Sequence, residues 1–409
     1  MWQLLVLCFL FVSPMLIYVW IVSVHRLSNI REIVSALHTM TLPVVNEYPR
    51  CRHYNATHFK CLPNTFLIGA SKCGTTTLLE YLTQLPDVAL VSRRISAKDH
   101  HREVHRFDRN TFLYAWKFLE LADEWASSPI VRDPNAIVVH YTPHYLYAPT
   151  VPFEMREFYP DDPLHKFRFI VMLRDPVARA LSAYWFSRSH LFGSKTDRGS
   201  IQEFTSLVEE QMKSREKYDH CLIENGVDFH SRSPFHAGST AAFHMDIKEY
   251  YSALSKCFGS EWRSPRLGDR HIDKSIYVDQ LHRWFANFPP SEIQSNRRGA
   301  ALPQGERFGA YFVSALEVLA SPVTQTQMLT QLLDFLYKDR GMHIVRPKGT
   351  PALPTQGYLV KPNAQAQTTE NAPSEALLQK LRVFYAPYTE QVNALLKEHA
   401  SIPDIVLSK

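Results

Sequence analysis

Residues 66–82 read Phe66-Leu67-Ile68-Gly69-Ala70-Ser71-Lys72-Cys73-Gly74-Thr75-Thr76-Thr77-Leu78-Leu79-Glu80-Tyr81-Leu82. An apolar run ends at Gly69, a turn of small residues with one lysine follows, and an amphipathic helix begins with leucines at 78, 79 and 82. Strand, tight turn and helix together point free backbone N–H groups and a positive helix dipole at an anion. Gly69 and Gly74 allow close backbone approach, Thr75, Thr76 and Thr77 offer hydroxyls, and Lys72 supplies a full charge. These residue types in this order predict a phosphate cradle.

The loop departs from the nucleotide-triphosphate pattern, which places lysine directly after the second glycine and before Ser/Thr. Here Lys72 precedes Gly74 by two residues. A second signal lies at 167–186, Phe-Arg-Phe-Ile-Val-Met-Leu-Arg-Asp-Pro-Val-Ala-Arg-Ala-Leu-Ser-Ala-Tyr-Trp-Phe. A buried strand ending at Arg174 runs into a helix opened by Pro176, where the missing N–H costs little. Arg174 at the strand's C-terminal end is placed to pair bidentately with a phosphate, and Ser182 on the helix can donate one more hydrogen bond. Two separated phosphate sites are thus expected.

Lys72-x-Gly74-Thr75-Thr76 resembles the 5′-phosphosulfate loop of sulfotransferases that use 3′-phosphoadenosine 5′-phosphosulfate (PAPS). Arg174-x-Pro-x-x-Arg179-x-x-Ser182-x-Tyr184 is similar to their 3′-phosphate site. Residues 102–108, Arg-Glu-Val-His-Arg-Phe-Asp, resemble the Lys-Glu-x-His-Phe-Phe-Asp segment of Golgi glycan sulfotransferases. Glu103, His105 and Asp108 match, while Arg102 and Arg106 replace Lys and Phe. Thr142, Pro143 and Tyr145 fit a Glu-Lys-(Ser/Thr)-Pro-x-Tyr segment, with Tyr141 where that family has lysine. Lys348-Gly349-Thr350 resembles the loop that closes over PAPS, with Thr350 in place of arginine. A helix at 275–289 and the terminal helix at 374–399 are similar too, so the resemblance runs from about 65 to 398.

The resemblance implies an α/β, P-loop-like sulfotransferase fold, a central parallel sheet flanked by helices, over residues 63–409. It implies PAPS as co-substrate, held by Lys72, Cys73, Gly74, Thr75, Thr76, Arg174, Ser182, Lys348, Gly349 and Thr350. The chemistry falls to Glu103 as base, with Lys72, His105 and Asp108, and the acceptor is a glycan of glycosaminoglycan type. Two other readings are a P-loop nucleotide kinase and an inactive glycan-binding homologue; the displaced lysine argues against the first. His100, His101 and His105 lack a metal-site pattern, so no metal is expected.

The rest of the chain places such an enzyme. Residues 2–24 are almost wholly apolar, and about twenty apolar residues span a bilayer core. No small-residue cleavage site precedes His25, so 1–24 are expected to form one transmembrane signal-anchor, followed by a stem at 25–62 in which a helical piece at 27–37 gives way to an irregular stretch with Pro and Tyr. Arg26 and Arg31 follow the segment and locally favour a cytoplasmic C-terminus, but long folded domains translocate regardless. Cys51, Cys61, Cys221 and Cys257 allow three pairings, of which proximity favours Cys51–Cys61 and Cys221–Cys257, bonds that need an oxidising compartment. Asn55-Ala56-Thr57 is a glycosylation sequon. A single-pass type II Golgi protein with a lumenal catalytic part is the expected arrangement. The net charge of +5, without clustered basic tracts, does not point to nucleic acid.

Overall fold

The computed structural model describes residues 42–45, 48–91, 103–108, 125, 128–159, 167–190, 199–227, 247–258, 270–290, 309–337 and 372–397. The apolar segment 2–24, His100, His101, Arg102, and the loop holding Lys348, Gly349 and Thr350 lie outside the described residues. Among the described residues, no helix is long and apolar enough to cross a membrane.

The centre is a parallel sheet. Its strands are β4 (Thr65–Gly69), β5 (Val88–Leu90), β7 (Ile137–Tyr141), β8 (Phe167–Leu173) and β9 (Gly309–Ala315), in the order β5-β7-β4-β8-β9. Every residue of β4, β7 and β8 is buried. That matches their near-continuous apolar sequences, the signature of strands covered on both faces. After β4 the chain builds β5 and β7 on one side and later β8 and β9 on the other. The strand order therefore reverses at β4, and ligands of open α/β sheets bind at such a switch point, outside the strands' C-terminal ends.

Among the described residues there are nine α-helices. They are α1 (Thr75–Leu82), α2 (Val151–Phe158), α3 (Pro176–His190), α4 (Ile201–Glu224), α5 (Ile247–Phe258), α6 (Tyr277–Asn287), α7 (Leu316–Ala320), α8 (Pro322–Tyr337) and α9 (Glu375–Lys397). α6 turns an aromatic face to the core: the Trp284 ring packs edge-on against Phe169 of β8 at 5.0 Å, and Phe288 lies 5.0 Å from the same Phe169 ring. Tyr311 of β9 meets Phe169 from the other side at 5.1 Å.

A buried ionic knot joins α4 to α6. Arg215 pairs with Asp219 at 2.6 Å and with Asp279, while Asp273 receives Arg270 at 3.1 Å. Tyr388 of α9 donates to Asp219 at 3.2 Å. Removing one member would leave a charge buried without its partner, a loss of about 3–5 kcal/mol.

Residues 44–61 correct one expectation. They were expected to be irregular, yet β1 (Val44–Val45), β2 (Tyr48–His53) and β3 (Phe59–Cys61) join β6 (Ile130–Val131) in an antiparallel sheet ordered β1-β2-β3-β6. Cys51 and Cys61 face each other across β2 and β3 and are disulfide-bonded. Arg50 fastens this sheet to the main one by donating to the Leu62 and Ala136 carbonyls at 2.8 and 3.1 Å. Asn55 is exposed in the β2–β3 turn. The second disulfide, Cys221–Cys257, ties α4 to α5.

Gly69 ends β4 at φ 155°, where a Cβ would lie 2.6 Å from the Leu146 Cβ and 2.7 Å from the Pro143 carbonyl oxygen. Neither neighbour is the end of a flexible side chain. Gly69→Ala is therefore expected to destabilise the fold by about 1–3 kcal/mol, read as a lowered melting temperature. Gly226 shares a positive φ but has open space around its Cβ position. Gly226→Ala should cost less, carrying only backbone strain. Equal losses would show that crowding at Gly69 is not the cause.

Candidate active site

The loop between β4 and α1 is built for an anion. Its last residue, Gly74, caps α1 in the left-handed conformation at φ 80° and brings no side-chain hydrogen bond. The first-turn N–H groups of α1 therefore have no side-chain cap, which leaves donors for a ligand. A Cβ on Gly74 would strike Leu316 at 2.7 Å, so α7 presses the loop into place. Lys72 stands at φ 70°. Among the described residues, Lys72 and His105 are the two non-glycine residues at positive φ. Strain of this kind, on the order of 1–3 kcal/mol each, gathers at functional sites.

The Lys72 ammonium rests over the Phe186 ring of α3, 3.9 Å from its centroid. Burial, then the neighbouring Arg174 guanidinium, lower its pKa to about 8. Arg174 leaves the end of β8 beside the loop, and its Nη1 donates to the Lys72 carbonyl at 3.3 Å. Tyr277 of α6 donates to the Arg174 carbonyl at 3.0 Å and lies 3.7 Å from the Cys73 sulfur. Burial pushes the Cys73 thiol up to about 11, so Cys73 is a neutral wall of the loop rather than a nucleophile. Ser182 is half-buried on α3, and its hydroxyl has no partner among the described residues. Arg179, one turn earlier, is a structural group: it is buried and donates to Ser275 at 2.5 Å and to the His271 carbonyl.

Glu103, His105 and Asp108 come to the same place through β7. Val104 N–H donates to the Tyr141 carbonyl at 3.1 Å, and His105 N–H to the Thr142 hydroxyl at 3.1 Å. The Tyr145 hydroxyl accepts from the backbone of Arg106 and Phe107 at 2.8 and 3.1 Å. Thr142 and Tyr145, the matched residues of the Thr-Pro-x-Tyr segment, thus hold the acidic stretch in position. Tyr141 itself pairs with Thr76 of α1 at 3.1 Å between hydroxyls. Burial, then the Glu103 charge, raise its pKa to about 12, so it is a neutral phenol where the resembling family has a cation.

His105 is clamped between carboxylates. Its Nε2 lies 2.6 Å from Glu103 Oε2 and its Nδ1 2.8 Å from Asp108 Oδ2. Burial would lower its pKa, but the two hydrogen bonds and charges win and raise it to about 9. With both ring nitrogens donating, His105 is an imidazolium at neutral pH. Asp108 is almost fully buried, which alone would raise it; hydrogen bonds from His105 and His144 hold it well below the usual carboxylate range instead. His144 was not anticipated: its Nδ1 lies 2.9 Å from the same Asp108 oxygen. Among the described residues, no group of three or more metal-ligating side chains could hold an ion.

Residues 62–225 are similar to the sulfotransferase domain family. Over 269 residues the chain is 26% identical to the membrane-associated sulfotransferase kil1 of Dictyostelium discoideum, covering 57% of this chain and 51% of that protein. Over 349 residues it is 24% identical to the heparan sulfate glucosamine 3-O-sulfotransferase 3B1 of Mus musculus, covering 84% of this chain and 65% of that protein. The chain spans about half to two thirds of the length of these curated relatives. A solved sulfotransferase from Alicyclobacillus acidocaldarius overlays with a TM-score of 0.39 at 18% identity, covering 82% of this chain and 96% of that one. The matched region includes the loop at 69–74, the acidic stretch at 103–108 and Arg174.

The raised His105 pKa has a consequence for stability. An ordinary histidine titrates near about 6.5, and one raised in the fold stabilises fully below that pH and loses its contribution as pH rises through about 9. The stability difference between wild type and His105→Ala, from denaturant unfolding, should therefore be largest near pH 6 and shrink toward pH 10. A difference that stays constant over that range would contradict the clamp.

Proposed function

We propose that the chain transfers a sulfuryl group from PAPS to a hydroxyl, or an amine, of a glycan. One observation carries this reading: a glycine-capped helix start with Lys72 and Arg174 beside it lies next to a glutamate that a buried His-Asp pair holds in place. Two neighbouring cations, one of them an ammonium whose proton affinity burial and the other cation lower, favour an anionic ligand between them, and the loop's uncapped N–H groups suit a phosphosulfate.

In this reading Arg174 and Ser182 hold the 3′-phosphate and the loop residues Lys72, Cys73, Gly74, Thr75 and Thr76 hold the 5′-phosphosulfate. Lys348, Gly349 and Thr350 close over the co-substrate. Glu103 Oε2 is engaged by His105, while Oε1 has no partner among the described residues and takes the acceptor's proton. The new S–O bond forms as the bond from sulfur to the bridging phosphate oxygen breaks, and Lys72 stabilises the charge left on that oxygen. His105 and Asp108 keep Glu103 oriented throughout. The acceptor is of glycosaminoglycan type, and the protein is a single-pass type II Golgi protein with its catalytic part in the lumen. The exposed Asn55 sequon and the two disulfides support that compartment.

Glu103→Gln tests the reading. The amide keeps the shape and most hydrogen bonding but cannot accept a proton. Turnover should fall about 10²–10⁴-fold with affinity for 3′-phosphoadenosine 5′-phosphate nearly intact by calorimetry. Near-normal transfer on a verified acceptor would put the base elsewhere. Arg174→Ala should do the reverse. It should weaken binding of that nucleotide by roughly 1.5–3 kcal/mol, the value of a hydrogen bond to a charged group. Unchanged affinity would remove Arg174 from the 3′-phosphate site.

A further inference from the structure

We propose that His144 belongs to the acceptor site, where its Nε2 takes a hydrogen bond from a hydroxyl of the incoming glycan; the assignment rests on the sulfotransferase reading above. The geometry begins at Asp108, whose Oδ2 receives two imidazoles, His105 at 2.8 Å and His144 at 2.9 Å. An ionised carboxylate can only accept, so each ring must donate its Nδ1–H there. The two histidines then diverge. His105 spends its second nitrogen on Glu103 at 2.6 Å and has none left. His144 has no partner for Nε2 among the described residues, and its side chain is 24% exposed.

Burial, with the Lys274 and His105 charges, disfavours a proton on that second nitrogen. Asp108 faces it from one side and favours a proton, whereas Lys274, the His105 imidazolium and burial all disfavour one, and its pKa falls below the ordinary value. The Tyr147 ring, 5.8 Å between centroids, closes another side. A neutral imidazole with Nδ1–H on a carboxylate carries its lone pair on Nε2. Such an atom accepts from O–H or N–H donors and repels carboxylates and sulfates. The hydroxyls of a sugar are the matching chemistry. His144 also stands where an acceptor must arrive: it follows Thr142, which holds His105, and Pro143, whose carbonyl oxygen packs against Gly69, and a single carboxylate oxygen separates it from the histidine that clamps Glu103.

His144→Asn separates this role from simple anchoring. Its side-chain amide can still donate to Asp108 from the Nδ1 position but offers nothing at the Nε2 position. With a verified acceptor, KM for the glycan should rise about tenfold, the loss of one hydrogen bond to a polar site. Affinity for 3′-phosphoadenosine 5′-phosphate should stay within about twofold. The wild-type KM should also climb on acidification as His144 gains a proton, and in His144→Asn it should be flat over that range. Long-range proton–nitrogen NMR of histidine-labelled wild type, assigned by the signal that His144→Asn removes, should show the neutral Nδ1–H tautomer at pH 7. An Nε2–H tautomer, an imidazolium, or an unchanged glycan KM in His144→Asn would overturn the assignment. An equal loss of nucleotide affinity would overturn it too, showing a structural role instead. If the wild-type chain itself transfers nothing from PAPS to any glycan, the proposed function falls and takes the acceptor role with it, a result distinct from an active wild type with an indifferent variant.

Discussion

Gly69 has no Cβ, and the Pro143 carbonyl oxygen and the Leu146 Cβ occupy the space that one would need. This close approach of the β4 end to the turn after β7 is the constraint on which the site depends. The same turn is stitched to β4 by Thr142 N–H on the Leu67 carbonyl at 3.2 Å and Leu146 N–H on the Ile68 carbonyl at 2.7 Å. Its hydroxyls, from Thr142 and Tyr145, then take the backbone N–H groups of His105, Arg106 and Phe107. The acidic stretch reaches the phosphate loop because the C-terminal end of β7, the strand beside β4, carries it there. A side chain at Gly69 would push apart the two halves of the chemistry.

Electrostatics complete what the backbone positions. On the loop side, Lys72 and Arg174 share a half-buried corner and lower the ammonium's affinity for its proton, a cost that a bound anion reverses. On the other side, Asp108 and Glu103 hold the His105 imidazole charged, while burial, Lys274 and that charge disfavour a proton on His144. The charged ring steadies Glu103; the neutral ring leaves a lone pair open. Left-handed backbone at Lys72 and His105 places strain on the two residues that bear these charges, and each is held there by tertiary contacts rather than by local preference.

The parts of this arrangement written in one continuous stretch were legible beforehand. Phe66 to Leu82 and Phe167 to Phe186 announce strand, turn and helix because an apolar run stops at a glycine or runs into a proline. Glu103, His105 and Asp108 stood out only through their resemblance to a known Lys-Glu-x-His-Phe-Phe-Asp segment; their clamp was not legible. Tyr141 was visible as a missing cation, though its bond to Thr76 was not. His144 was passed over because nothing in Thr-Pro-His-Tyr announces a carboxylate 36 residues away. The sheet at 44–61 was missed because its strands are short and carry Pro49, Arg50, Arg52 and Lys60; what orders them is a disulfide and Arg50's reach to Leu62 and Ala136. The α4 helix hides its anchor as well, since Arg215 is a charged residue that serves as core once Asp219 and Asp279 surround it.

The most direct test is transfer of radiolabelled sulfate from PAPS to a panel of glycans, run beside radiolabelled ATP with the same acceptors and no added metal. A phosphosulfate loop coupled to Glu103 predicts label from PAPS on at least one glycan and none from ATP. Label from ATP, or binding of a glycan without transfer from PAPS, would contradict the account.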